Sequence, residues 1–208
     1  MNRRAMSPFS TFRPLRTALL AAALVALSAC GKGSAPTDEP PLAGAAIGGD
    51  FTLVDKAGKT VRAADFAGHY RVMYFGYTFC PDVCPLDVQH LMQGYHLFAK
   101  AHPDLAAKVR PIFVSIDPAR DTPAKVGEFA AAFGPELLGL TGSADQVASA
   151  AKAFAVYYQK RDGASPDAYL MDHSRAAYLM DPQGHPMALL PVEKDGKAVA
   201  ADLEKWVR

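Results

Sequence analysis

Apolar residues are spaced along this chain in ways that separate strands from helices. Arg71-Val-Met-Tyr-Phe-Gly76 and Val109-Arg-Pro-Ile-Phe-Val-Ser-Ile116 are nearly continuous apolar runs, the signature of strands covered on both faces. Beyond the first run, Val88, Leu91, Met92, Tyr95 and Phe98 recur every three or four positions, which is one stripe of a helix. Pro85 suits the first turn of that helix. Short alternating stretches, Phe51–Val54 and Thr60–Arg62, flank Asp55-Lys-Ala-Gly58 and predict a hairpin.

Turn and cap residues punctuate the rest. Thr122 with Pro123 opens a helix that Gly134-Pro135 ends, and Ser143 with Gln146 three positions on forms a capping box for a helix to about Phe154. Val156–Gln159 reads as a strand. Ala176–Met180 and Pro186–Leu190 form a hairpin about Asp181-Pro-Gln-Gly184, and a final helix spans about Asp202 to Val207. Strands alternating with helices, then a hairpin and a helix, predict an α/β domain: a mixed central sheet flanked by helices, with an N-terminal hairpin. A cysteine pair between the first central strand and its helix is the arrangement of a thioredoxin-like fold.

The N-terminus follows a different logic. Arg3, Arg4, Arg13 and Arg16 precede an apolar run, Ala18–Leu27, too short to span a bilayer, and Leu27-Ser-Ala-Cys30 follows. Residues 1–29 are expected to be a signal peptide. The ending resembles a bacterial lipobox, with Cys30 as the lipidated residue and ordinary cleavage near Ala29 as the competing reading. Residues 30–47, rich in Gly, Pro, Ala and Ser, read as a flexible tether. Residues 48–208 are left as one domain. The expected location is the bacterial cell envelope, facing the periplasm and anchored to a membrane by lipid.

Charge excludes one class of partner. The lead holds four of the 22 Lys and Arg and no acidic residue, leaving 18 against 21 Asp and Glu, a net charge of −3. No nucleic-acid partner is expected of such a chain.

Cys80 and Cys84 carry the chemistry. Setting Cys30 aside, they are the remaining pair of three cysteines, in a compartment where disulfides persist. Four helical residues advance about 6 Å and return a side chain to nearly the same face, so the two thiols can share a soft metal ion or close a disulfide. The pair is a metal clip, a redox switch, or both. Two sulfurs underfill a zinc site, whereas Cu(I) needs fewer donors and is completed by a histidine. His69, His90, His96, His102 and His185 read as surface residues. His173, in a short polar break before an apolar strand, is the candidate third donor, and a solvated loop histidine is the competing reading. Asp117 and Asp172 are candidates to orient it, against plainer roles as a turn and a loop cap. Met171 is a soft atom better explained by packing.

Cys80-Pro-Asp-Val-Cys84-Pro85, Ser115-Ile-Asp117-Pro-Ala-Arg-Asp-Thr-Pro123 and Asp172-His173-Ser174 together resemble the Sco/SenC family in order and spacing. The resemblance covers essentially residues 48–208. It implies that Cys80, Cys84 and His173 bind copper, as Cu(I) and with Cu(II) as a second state. It also implies a partner, the cytochrome c oxidase subunit carrying the CuA centre, and an upstream periplasmic copper donor. Family members usually carry a transmembrane anchor, which a lipid would replace here. The leading alternative is a thiol–disulfide oxidoreductase that keeps the CuA cysteines reduced, with Cys80 and Cys84 as its redox pair. That activity ordinarily uses a two-residue spacing and has no need of His173. A peroxidase is rejected because Thr78 stands two residues, not three, before Cys80.

Overall fold

The computed structural model describes residues 39–163, 165 and 168–208. The predicted signal peptide, Cys30 and the first half of the tether lie outside the described residues. Strands β1 (Thr52–Val54) and β2 (Thr60–Arg62) form the expected antiparallel hairpin. The central sheet is built from β3 (Tyr70–Gly76), β4 (Val109–Ser115), β5 (Leu138–Leu140), β8 (Ala177–Met180) and β9 (Pro186–Leu190). Its order is β5-β4-β3-β8-β9. β3, β4 and β5 run parallel, whereas β8 and β9 are antiparallel to their neighbours, so the sheet is mixed. β6 (Tyr158–Arg161) and β7 (Leu170–His173) pair separately.

β3 occupies the centre, and every one of its residues is buried. Its pleat sends alternate side chains to opposite faces. Tyr74 reaches Asp87 on helix α1 (Val83–Ala101). Phe75 packs 5.2 Å from Phe154, the residue that caps α4 (Ala144–Ala153). Truncating a ring buried like that of Phe75 costs about 3–5 kcal/mol. Helix α5 (Gly196–Trp206) lies along α1. A short helix α2 (Pro103–Ala106) and α3 (Pro123–Ala131) complete the set. Thr122 caps α3 through Lys125, and the Ser143–Gln146 capping box is formed.

Several boundaries differ from expectation, each for a local reason. β5 is three residues long with a glycine at its centre, too short to leave a pattern. β6 starts two residues later than expected. α5 begins at Gly196, where Asp195 caps it through the Ala198 amide, well before Asp202. β7 is a strand, not a loop, because its polar residues pair with β6 outside the core. The end of the predicted tether is already attached. Leu42 donates to Met187 O at 2.9 Å, and Leu42 and Ile47 pack against the core.

Candidate metal centre

The site begins where β3 ends. Space at Gly76 is tight, since a Cβ would lie 3.0 Å from Cys84 Sγ and 3.1 Å from Phe113. The chain then turns through Tyr77–Asp82 into α1. Asp82 precedes the first helical residue yet makes no side-chain cap bond. The sulfur of Cys80 fills that role, accepting from the Cys84 amide at 3.4 Å. A sulfur at a helix N-terminus meets orphan N–H groups and a partial positive charge, both of which favour thiolate.

The two thiols are differentiated. Cys84 is fully buried and Cys80 half-buried, and both are free. The Cys80 pKa is pulled down to about 3, first by the hydrogen bond from the Cys84 thiol, then by His173 and the amides of Asp82 and Cys84, against a desolvation cost. Cys84 moves the other way, because it donates to Cys80 and because burial disfavours its charge. The metal-free pair therefore holds a thiolate at Cys80 and a proton at Cys84.

His173 closes the site from a distant stretch of chain. It is the last residue of β7 and pairs with Tyr158. Its Nε2 stands 3.1 Å from Cys84 Sγ, and its Nδ1 stands 3.0 Å from the Ser174 carbonyl. A carbonyl only accepts, so Nδ1 donates to it, which turns Nε2 toward the sulfurs. The donor atoms of Cys80, Cys84 and His173 lie within 4.8 Å of one another. Two sulfurs and an imidazole nitrogen at this separation are a donor set suited to one soft ion. The rings of Tyr77 and Tyr74 meet His173 edge-on at 5.9 and 6.4 Å, fencing it into one orientation.

The two aspartates have other partners. Asp172 accepts from Arg161 at 2.5 Å. Asp117 accepts from Arg120 and from the Tyr169 hydroxyl, each at 2.6 Å. Neither touches His173, whose orienting group is the Ser174 carbonyl. Met171 packs against the core. His96, His102 and His185 are exposed beside Glu136, Glu204 and Asp181. His90 is half-buried instead, bonded to the Val192 carbonyl at 2.8 Å.

One supporting cluster is absent from the sequence reading. Asp87 is fully buried under the site and accepts from the Tyr74 hydroxyl at 2.9 Å and from Arg175 at 2.6 and 3.0 Å. Burial, together with Cys84 and Asp87 nearby, holds the Tyr74 hydroxyl protonated. The available signal was a carboxylate on the same helical stripe as Cys84, Val88 and Leu91. A second cluster anchors the β7 side. Arg120 lies 3.4 Å over the Tyr169 ring and donates to the Tyr169 carbonyl at 2.8 Å.

Central parallel strands, a cysteine pair at the first helix and a closing hairpin define a thioredoxin-like protein with a Cys-Cys-His site. A thioredoxin domain of a thiol-disulfide oxidoreductase from Bacteroides vulgatus shares the fold at TM-score 0.54 and 20% identity, covering 78% of this chain and 96% of that one. The SCO1/SenC family model matches residues 39–208, and the chain belongs to that family. It is 44% identical over 141 residues to the mitochondrial SCO2 homolog of Mus musculus, covering 67% of this chain and 54% of that protein. It is 42% identical over 156 residues to protein SenC of Rhodobacter capsulatus, covering 75% of this chain and 66% of SenC. The copper-bound crystal structure of Arabidopsis thaliana ScoI superposes at TM-score 0.71 with 35% identity, over 77% of this chain and 97% of that one.

Proposed function

We propose that this protein is a copper metallochaperone, holding Cu(I) between Cys80, Cys84 and His173 and passing it to the CuA centre of a cytochrome c oxidase subunit during assembly. The observation that carries the reading is the 3.1 Å approach of His173 Nε2 to Cys84 Sγ across 89 residues of sequence. A thiol–disulfide exchange site does not require that approach, whereas a soft-metal site needs the third donor. The ion is cargo. A half-buried Cys80 and a histidine on a peripheral strand leave one side of the site open to an incoming ligand. Binding Cu(I) displaces the proton held at Cys84, so uptake and proton release are coupled. Oxidising the copper-bound thiolate pair to a disulfide passes two electrons to an acceptor disulfide, which takes up two protons from solvent to become two thiols; both sulfur donors are removed and the ion is released.

Delivery implies a place. On this reading residues 1–29 direct export, Cys30 carries lipid, and the chain up to the domain tethers it on the periplasmic side of a bacterial membrane. An upstream periplasmic donor supplies the ion. Among the described residues no helix is long and apolar enough to cross a membrane, and a lipid is the anchor that the N-terminal pattern supports.

The oxidoreductase reading rests on the shared thioredoxin fold and the depressed Cys80 pKa. Mixing copper-loaded protein with the metal-free CuA-bearing subunit, then measuring copper and free thiols on each after separation, distinguishes the two. Copper is expected on the subunit. Reduction of the subunit's disulfide while the copper stays behind contradicts delivery.

A further inference from the structure

The opposite end of β3 holds a cation with no ion-pair partner among the described residues. Arg71 lies on the same face of the strand as Phe75 but about 17 Å from the cysteine turn, at roughly 3.3 Å per strand residue. It is only 6% exposed. Its Nε has no hydrogen-bond partner, and no carboxylate lies within ion-pair distance among the described residues. Asp181, whose charge reaches Arg71, is already committed. Its Oδ1 accepts from the Gln183 and His185 amides, and its Oδ2 faces His185 Nδ1.

A buried guanidinium in this position is expensive. Lysine or histidine would shed its proton, but arginine does not. The charge is therefore satisfied from the cleft, by water or by an incoming anion. The structure makes room for one. Arg71 lines a cleft of about 490 Å³ together with Gly49, Ala64, Gly68 and Gly184. Gly184 has φ +93°, which favours glycine, and a Cβ there would stand 2.7 Å from Arg71 Nη2, so the turn lies directly against the guanidinium. Asp50 also lines the cleft, is exposed, and makes no ion pair with Arg71. Its charge favours an incoming monoanion over a dianion.

We propose that this cleft is a binding site for a small carboxylate, held by Arg71 through paired N–H···O bonds and separate from the copper site. The planar fork of arginine matches a carboxylate edge-on. The small residues around it let a ligand of a few heavy atoms approach without displacing side chains.

The test is thermal unfolding of the full chain in sodium acetate, sodium phosphate and sodium chloride at matched ionic strength. A ligand with Kd of about 10 mM, present at about 50 mM, raises Tm by about 2–4 °C for a chain of this size. A saturable rise with acetate over chloride is expected for wild type and is expected to vanish in Arg71→Met. Ala64→Glu places a tethered carboxylate on the cleft wall. It is expected to raise Tm in chloride alone and to blunt the acetate response, which keeps the proposal testable if Arg71→Met fails to fold. Equal responses in wild type and the variants, or no response in wild type, overturn the site. A phosphate effect larger than that of acetate, and dependent on Arg71, overturns the carboxylate assignment.

Discussion

The two halves of the metal centre are held very differently. Cys80 and Cys84 stand between a fully buried central strand and a 19-residue helix. His173 stands at the end of a two-stranded sheet whose other residues are largely exposed, with Leu170 at 49%. The cysteine side is fixed by the main core. The histidine side is fixed by a few polar contacts: Tyr169 to Asp117, Arg120 to the Tyr169 carbonyl, and Arg175 to Asp87. Segments with few buried apolar contacts open at lower free energy. The site therefore pairs two rigid sulfurs with one nitrogen able to let go, an arrangement suited to holding an ion and then surrendering it.

Breaking the rigid side should do most damage. Cys84→Ser is expected to lower Cu(I) affinity by more than about 100-fold, beyond what losing an outer partner costs. Competition with a chromophoric chelator reads this directly. Removing the nitrogen should do less to affinity and more to kinetics. His173→Ala is expected to weaken binding about 10- to 100-fold and to speed copper release to the chelator, with the fold unchanged by circular dichroism.

Undoing the links between the halves comes next. Arg175→Ala strips the fully buried Asp87 of its charged partner and leaves it, among the described residues, the Tyr74 hydroxyl. A loss of about 2–3 kcal/mol in urea unfolding is expected, since bonds to charged groups contribute about 1.5–3 kcal/mol. Tyr169→Phe removes one neutral donor from the Asp117 carboxylate and should cost about 1.5 kcal/mol. Its sharper readout is faster amide exchange in β6 and β7 with no change in β3.

Acid sharpens the contrast between the two thiols. A depressed pKa means the thiolate persists as pH falls, until the folded value is reached. Iodoacetamide should therefore label Cys80 almost as fast at about pH 5 as at about pH 7, with reactivity falling only as pH approaches about 3. Cys84 should stay unlabelled throughout. Equal labelling of both cysteines contradicts the assignment of thiolate to Cys80.

The same asymmetry governs what the sequence reveals. The cysteine half is local: an apolar strand, two cysteines four apart and a helical stripe are all written within about 30 residues, and the fold places them as read. His173 is 89 residues from Cys84, and no local pattern joins them. Its strand was missed because Leu170-Met-Asp-His173 lies outside the core and carries no apolar alternation. The predicted orienters Asp117 and Asp172 are close in sequence to the right elements but bond to arginines instead. Asp87, the carboxylate that does join the halves, was hidden as one polar residue on an apolar helix face. Its partner Arg175 shows itself only in three dimensions.

X-ray absorption of the copper-loaded, reduced protein tests the three-donor centre most directly. Two sulfur neighbours and one nitrogen neighbour are expected around Cu(I), with the nitrogen lost in His173→Ala and both sulfurs kept. A nitrogen shell that survives His173→Ala, or a wild-type ion bound by sulfur alone, contradicts it.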